Sequence, residues 1–315
     1  MKWLRNTILE IVLVILCVFL SFRARGFLSA ENLLKILGDV SMQGIIAFGM
    51  TMVIIAGEID LSVGSAVAFS GCIAAWIVER LTRDNVPAAA SIVLAIGAAI
   101  AANMLAGVLS GFFRIRFRVP TFISTLAWMA ILRGGAKLIT HGFPINSFPQ
   151  GFSFLGAGYI GDIPFPAIVF VAVFLVIQGI MTFTTFGRSV YAVGGNAEAA
   201  RLSGIGVGRV KIAVMAIVAG LAAIAGIMLS SRLLSGNPES AVGWELDVIT
   251  AVIIGGTSLM GGAGRVWGTL IGVVFLGVLS NGMTLMNVDE YWQVVARGIL
   301  IFVAVLVNQA QPGRR

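Results

Sequence analysis

Long runs of apolar residues without a charge constrain the fold of this chain more than any other feature. A helix needs about 20 apolar residues to cross a bilayer, and roughly 18 without charge mark a candidate span. Six stretches meet this length, and only 11% of the residues are charged, against roughly 25% in soluble domains. They are Val40–Gly57, Leu61–Val78, Asn85–Phe113, Ile163–Gly187, Ile212–Ser231 and Val266–Val288. The sequence therefore predicts a protein that crosses the membrane several times.

Four weaker segments extend this set. Ile8–Phe22 is interrupted by Glu10, Val119–Leu132 is short, Val248–Gly264 is rich in glycine, and Tyr291–Asn308 contains Arg297. We therefore predict an all-α polytopic membrane protein, a single transmembrane domain over residues 1–315 with about ten transmembrane helices, some of them short or broken.

The distribution of lysine and arginine predicts the orientation. If all ten segments cross, 12 of these residues lie on the side of the N-terminus and 8 on the other, which favours cytoplasmic N- and C-termini. The turn-rich loop 137–164 is then external, and the charged loop 184–211 is cytoplasmic. Lys2 and Arg5 also fit a signal peptide, but Arg23 and Arg25 follow the apolar run directly, which favours a retained first helix.

Charge and cysteine content exclude several classes of function. The net charge of +7 comes from basic residues near the ends of apolar runs, which fits contact with membrane lipid and topology rather than nucleic acid. Cys17 and Cys72 lie inside apolar runs and do not suggest a disulfide framework. Because His141 is the only histidine, neither a metal site nor an enzyme is well supported.

The first motif is Gly57–Ser65, which places Glu58 and Asp60 at membrane depth. Two carboxylates there are expensive unless they are paired or hydrated, so one hypothesis is the ion site of a secondary transporter. The other, which we favour, is a tight structural loop in which Asp60 or Ser62 caps the next helix. In this second hypothesis, Gly57 and Gly64 are structural residues of the loop.

The second motif lies in the predicted cytoplasmic loop. Asn196 is a good helix N-cap, Glu198 favours the positive helix start, and Gly204 can end the helix. Ala199 and Ala200 give this short helix a face that another protein can approach closely. The alternative is a connecting helix packed on its own bundle, with Arg201 as a surface charge.

The third motif is the glycine-rich run Gly255–Arg265. A phosphate-binding loop needs Gly-Lys-Ser/Thr after four spacer residues, and no lysine follows Lys211. We therefore expect a sharp membrane re-entry rather than a nucleotide site. Val53–Gly57 resembles Val252–Gly256, which raises the hypothesis of a duplicated half.

A few uncharged polar side chains lie inside predicted spans. Each is a candidate for the translocation path or, alternatively, for a hydrogen bond between helices. They are Gln43, Asn103, Gln178 and Asn281.

These motifs together resemble the permeases of bacterial ribose-type sugar importers. Gly57–Ser65 is similar to their Gly-Gly-x-Asp-Leu-Ser-Val-Gly-Ser signature, although Glu58 replaces the usual second glycine. Val193–Ile205 is similar to their cytoplasmic Gly-Gly-Asn segment, and Val252–Gly268 to their late glycine-rich loop. The spacing from Glu198 to Gly204 fits the start of the general importer coupling motif, but its Ile-x-Leu-Pro ending is missing.

The resemblance implies the permease subunit of an ATP-binding-cassette importer in the bacterial inner membrane, for a small sugar or sugar-like solute. Partners would be two ATPase subunits that bind ATP and Mg, a periplasmic or extracellular binding protein, and a second permease copy or homologue. This chain itself would be no enzyme and bind no cofactor. The expected ATPase-coupling residues are Asn196, Glu198, Ala199, Ala200, Arg201 and Gly204. An ion-coupled secondary transporter using Glu58 and Asp60 stays the alternative.

Overall fold

A computed structural model describes residues 8–149 and 151–309, and this part of the chain contains thirteen helices and one two-stranded ribbon. In chain order these are α1 (Ile8–Arg23), α2 (Ala30–Ile55), α3 (Val63–Arg83), α4 (Ala88–Phe117), α5 (Thr121–Thr140), α6 (Phe154–Ala157), β1 (Tyr159–Ile160), β2 (Ile163–Pro164), α7 (Phe165–Phe183), α8 (Thr185–Gly195), α9 (Ala197–Leu202), α10 (Val207–Leu233), α11 (Trp244–Ile254), α12 (Val266–Leu285) and α13 (Glu290–Gln309). Strands β1 and β2 pair antiparallel.

The prediction of an all-α polytopic membrane protein is confirmed. Seven helices in the described residues are long and apolar enough to cross a membrane, namely α2, α3, α4, α5, α7, α10 and α12. The other three predicted segments correspond to α1, α11 and α13, which have 16, 11 and 20 residues. Helix α11 ends at Ile254, so the glycine-rich remainder of its predicted segment is a loop.

Helix α2 is the centre of the bundle, and it is longer than the predicted span. It begins at Ala30 because the Ser29 side chain accepts a hydrogen bond from the Asn32 backbone N–H at 3.2 Å. Every residue from Gly44 to Ile55 is buried. A helix that is apolar on all sides is expected in the interior, and α2 accordingly packs against α7, α10, α11 and α12.

Charged residues collect at two opposite ends of the bundle. We call one the Glu58 end, where Glu58 pairs with Lys211, and the other the Arg232 end, where Arg232 pairs with Asp39 at 2.5 Å. Arg114 and Lys211, both predicted to be cytoplasmic, lie together at the Glu58 end, and Arg232, predicted to be external, lies at the opposite end of α10. Which end faces the cytoplasm stays a prediction.

The two similar segments, Val53–Gly57 and Val252–Gly256, have the same local structure. Gly57 and Gly256 follow the ends of α2 and α11 with φ of 77° and 88°. In each case the residue after the glycine donates its N–H to the carbonyl five residues earlier, at 3.0 and 3.2 Å. This is the hydrogen-bond pattern with which a left-handed glycine ends a helix. The similarity of Val53–Gly57 to Val252–Gly256 is therefore structural as well as sequential.

Candidate functional site

The loop between α2 and α3 contains a buried ion cluster. The Glu58 side chain is only 3% exposed. It accepts hydrogen bonds from Arg114 Nε at 3.3 Å and from the Lys211 ammonium. Arg114 lies in the last turn of α4 and Lys211 near the start of α10. One carboxylate thus ties the loop to two helices that are distant in sequence.

Asp60 and Ser62 form a second buried pair in the same loop. The Ser62 backbone N–H and hydroxyl both donate to Asp60 Oδ1, at 2.8 and 2.6 Å. Ser62 stands at the N-cap position of α3, but its side chain makes no capping hydrogen bond. Of the two predicted caps, Ser62 accepts no backbone N–H of α3, whereas Asp60 accepts the backbone N–H of the residue that precedes the helix. A side chain at Gly64 would overlap the Glu245 carboxylate, so close packing requires a glycine there.

The predicted cytoplasmic helix exists as α9. Asn196 Oδ1 accepts from the backbone N–H groups of Glu198 and Ala199 at 3.0 and 2.9 Å, which confirms the N-cap. Gly204 follows the helix with φ of 84°. On the exposed surface, Arg201 donates to Glu198 at 2.6 Å. Because this hydrogen bond favours the charged carboxylate, it lowers the pKa of Glu198.

The two alanines of α9 that were predicted to face a partner, Ala199 and Ala200, differ in exposure. Ala199 is exposed, whereas Ala200 is 4% exposed and belongs to the core of the chain itself. The prediction that both alanines form a face open to another protein is therefore wrong for Ala200. Leu202, which is 74% exposed on the last turn, was not predicted from the sequence. An apolar residue at the end of a capped loop helix was the available signal.

Backbone contacts connect α9 to the bundle. We call Gly57, Gly194, Gly195, Gly261 and Gly262 the glycine junction. The Gly262 N–H donates to the carbonyl of Ile55 at 2.8 Å, and a Cβ atom at Gly194 would overlap that same carbonyl. Cβ atoms at Gly261 and Gly262 would also come within 3.0 Å of glycine backbone. The α8–α9 connection, the end of α2 and the loop before α12 thus meet with no side chain between them.

A polar cavity of about 190 Å³ lies among α2, α11, α12 and α13. On its wall Asp247 Oδ2 accepts from Gln43 Nε2 and from Arg297 Nη1, both at 3.2 Å. Asn281 lines the same cavity and exchanges two amide hydrogen bonds with Asn32, at 3.0 and 2.8 Å. Gln43 and Asn281, predicted for the translocation path, are thus brought together.

The other two predicted path residues lie elsewhere. Asn103 is fully buried, donates to the Ala99 carbonyl at 3.0 Å, and lines a separate cavity of about 10 Å³ beside Asp60. Gln178 donates to Thr182 within α7 at 3.1 Å and lines neither cavity. Sequence analysis did not name Asp247. Charged residues inside apolar segments are the signal for such a site.

Comparisons with known proteins give a consistent result. The family described as branched-chain amino acid transport system, permease component, matches residues 32–305. The chain is 42% identical over 302 residues to the ribose import permease of Haemophilus influenzae, covering 95% of this chain and 91% of that protein. It is 41% identical over 310 residues to the ribose import permease of Escherichia coli strain K12, covering 97% and 94%. It is 37% identical over 307 residues to the L-arabinose ABC transporter permease of Azospirillum brasilense, covering 97% and 88%. No solved structure matches it.

Proposed function

The chain belongs to the branched-chain amino acid transport system permease family, and from this premise we propose that it is the transmembrane permease of an ATP-binding-cassette importer. It is a multi-pass protein of the bacterial inner membrane. Its solute is a small sugar or sugar-like molecule, because relatives matched over nearly their whole length are ribose and L-arabinose permeases. The structural observation that carries the proposal is α9, a capped helix with an exposed outer face that packs on the bundle through Ala200 and lies next to the backbone contacts of the glycine junction.

Transport energy comes from another subunit. The sequence has no Gly-Lys-Ser/Thr loop to hold a phosphate, and the glycine-rich run 255–265 forms part of the glycine junction instead. We therefore assign ATP and Mg to two separate ATPase subunits, and no cofactor to this chain. A second permease copy or homologue and a periplasmic or extracellular binding protein complete the assembly.

The ATPase docks on the outer face of α9. Ala199 and Leu202 offer a small and an apolar contact, and the Glu198–Arg201 pair orients it. The buried Ala200 faces the bundle. The glycine junction transmits displacement of α9 to α2 and to the loop before α12, since backbone in contact with backbone leaves little room for adjustment.

The alternative, an ion-coupled secondary transporter using Glu58 and Asp60, has no observation in its favour. Glu58 is matched by two cations of the chain itself, and Asp60 is held by Ser62. Uptake into vesicles driven by a proton or sodium gradient without ATP would support it.

Co-purification tests the proposal. The permease is expressed with the ATPase and the binding protein, and the recovered ATPase and its vanadate-sensitive activity are measured. We expect Leu202→Asp to lower ATPase recovery at normal membrane abundance, because it places a charge in an apolar contact. The matched variant Ala200→Trp should instead lower abundance, because it overfills the chain's own core. Recovery of the wild-type permease without any ATPase would overturn the proposal.

A further inference from the structure

We propose that the cavity beside Asp247 and Arg297 binds the hydroxyl groups of a neutral polyhydroxylated solute during its passage through the permease. This inference rests on the proposed function and names the contact site within it.

The first argument is the size and position of the cavity. Its volume of about 190 Å³ is below the roughly 300–1,000 Å³ of pockets for drug-sized ligands, so it suits a small solute. Lys35 and Asp39 lie at its rim towards the Arg232 end, and Gln43 lies one turn deeper on the same face of α2. The cavity therefore leads from one end of the bundle into its interior.

Asp247 and Arg297 on the cavity wall both have unused hydrogen-bonding capacity. Asp247 receives both of its hydrogen bonds, from Gln43 and Arg297, on Oδ2. Among the described residues none donates to Asp247 Oδ1. Arg297 donates one hydrogen bond to Asp247, and its buried Nε has no hydrogen-bond partner among the described residues. A buried polar atom without a partner is costly, so this arrangement favours a ligand that both accepts and donates. Hydroxyl groups do both.

The third argument is charge balance. The charged residues that line the cavity are two cations, Lys35 and Arg297, and two anions, Asp39 and Asp247. Asp39 is also paired with Arg232 outside the lining, and both Asp39 and Lys35 are exposed at the rim. Deeper in the cavity, the charges of the Asp247–Arg297 pair sum to zero, which favours a neutral solute over an ion. A zwitterionic amino acid would have to separate Asp247 from Arg297 to use both charges. Apolar lining residues, such as Ile36, suit the C–H face of a sugar ring.

The fourth argument is the connection to the glycine junction. Asp247 lies on α11, seven residues before its end at Ile254, which is a distance of about 10 Å along the helix. The loop that follows α11 contributes Gly261 and Gly262 to the glycine junction beneath α9. A solute bound at Asp247 thus contacts α11, and the loop that follows α11 is the one to which the glycine junction transmits displacement of α9.

Thiol labelling tests the site in the complete importer. Cys17 and Cys72 are first replaced by alanine, and Gln43→Cys is compared with the matched control Gln178→Cys. Membranes are labelled with a permeant thiol reagent in the presence of ribose, arabinose or leucine. We expect a pentose to slow labelling of Gln43→Cys, about twofold when its concentration equals its Kd, and to leave Gln178→Cys unchanged. Asp247→Asn in the Gln43→Cys background should reduce the protection.

The outcomes separate this inference from the proposed function. Equal labelling of both Gln43→Cys and Ser280→Cys with and without pentose, in membranes from which the ATPase is recovered with the permease, would overturn the site and leave the function standing. Protection by leucine alone would replace the polyol with a zwitterion and also overturn the inference. If Gln43→Cys does not accumulate, Ser280→Cys reports on the same cavity with the same criteria.

Discussion

Two ion clusters in this molecule, one buried and one half-buried, differ in how completely they are paired. At the Glu58 end, one carboxylate meets two cations, Arg114 and Lys211, and it lines neither of the two cavities described above. On the cavity wall, Asp247 meets a single cation, Arg297, and keeps one carboxylate oxygen without a donor from the described residues.

The difference separates a structural cluster from a binding cluster. Removing water from an ion is costly, and only partners in good geometry offset that cost. Glu58 has such partners within the chain, so its contacts hold helices together. The cluster at Asp247 is incomplete and lies against open space, so a ligand can complete it.

The largest expected effect is at Glu58. Glu58→Ala leaves Arg114 and Lys211 without their carboxylate, and breaking a buried pair in this way costs about 3–5 kcal/mol. Glu58→Gly, which restores the residue usual in the ribose-type permeases, should be equally harmful because both cations remain. The loss of stability is measured by the abundance of the variant in the membrane and by its thermal midpoint in detergent.

Two further variants serve as controls for Glu58. Glu79→Ala removes an exposed pair with Arg83 and should cost about 0.5 kcal/mol or less. Adding Lys211→Met to Glu58→Ala should recover part of the loss. Normal stability of Glu58→Ala would remove the contrast between the two clusters.

The next effect tests how tightly the Glu58 end is packed. Gly194→Ala drives a methyl group into the Ile55 carbonyl, and overpacking of this kind costs about 1–3 kcal/mol. Gly195→Ala is a matched control, because a Cβ there meets nothing within 4 Å. The two variants are compared by the thermal midpoint and by ATPase recovery. Equal behaviour would contradict the close contact of the glycine junction.

For substitutions in the cavity we expect a larger loss of transport than of stability. Asp247→Asn keeps the shape of the side chain, so the free energy of unfolding should fall less than for Glu58→Ala. A lost charge-assisted hydrogen bond to the solute is worth about 1.5–3 kcal/mol, which predicts at least a tenfold loss of uptake per folded molecule. Gln43→Ala should also reduce uptake per folded molecule, whereas Gln178→Ala should leave it unchanged. Unchanged uptake in Asp247→Asn would show that its cluster is structural too.

The smallest effect concerns the exposed Glu198–Arg201 pair. Arg201 lowers the pKa of Glu198, so the pair stabilises α9 above the ordinary glutamate pKa. That contribution is lost as the pH falls through the lowered pKa. Backbone amide exchange in α9, compared between the wild type and Glu198→Gln, should therefore differ slightly at neutral pH and converge in acid. A large difference at neutral pH would mean that exposed pairs matter here as much as buried ones.

Part of the candidate site could be predicted because its causes are local. The Asn196 cap depends on backbone groups two and three residues away, and the helix ends at Gly57 and Gly256 depend on the preceding turn. The orientation of Ala200 could not be predicted, because it depends on where α9 packs. The Ser62 hydroxyl could accept a hydrogen bond from a backbone N–H of α3 or donate one to Asp60, and the buried Asp60 carboxylate receives it.

The sequence by itself determined that the chain is a multi-pass helical membrane protein and where helix α9 begins, because apolar run length and helix caps act over short stretches. Only the tertiary structure decided which charges meet. Glu58 and Lys211 are 153 residues apart, and Asp39 and Arg232 are 193 apart. Charge pairing at such separations depends on which helices lie side by side, and that follows from packing of the whole bundle rather than from any local pattern.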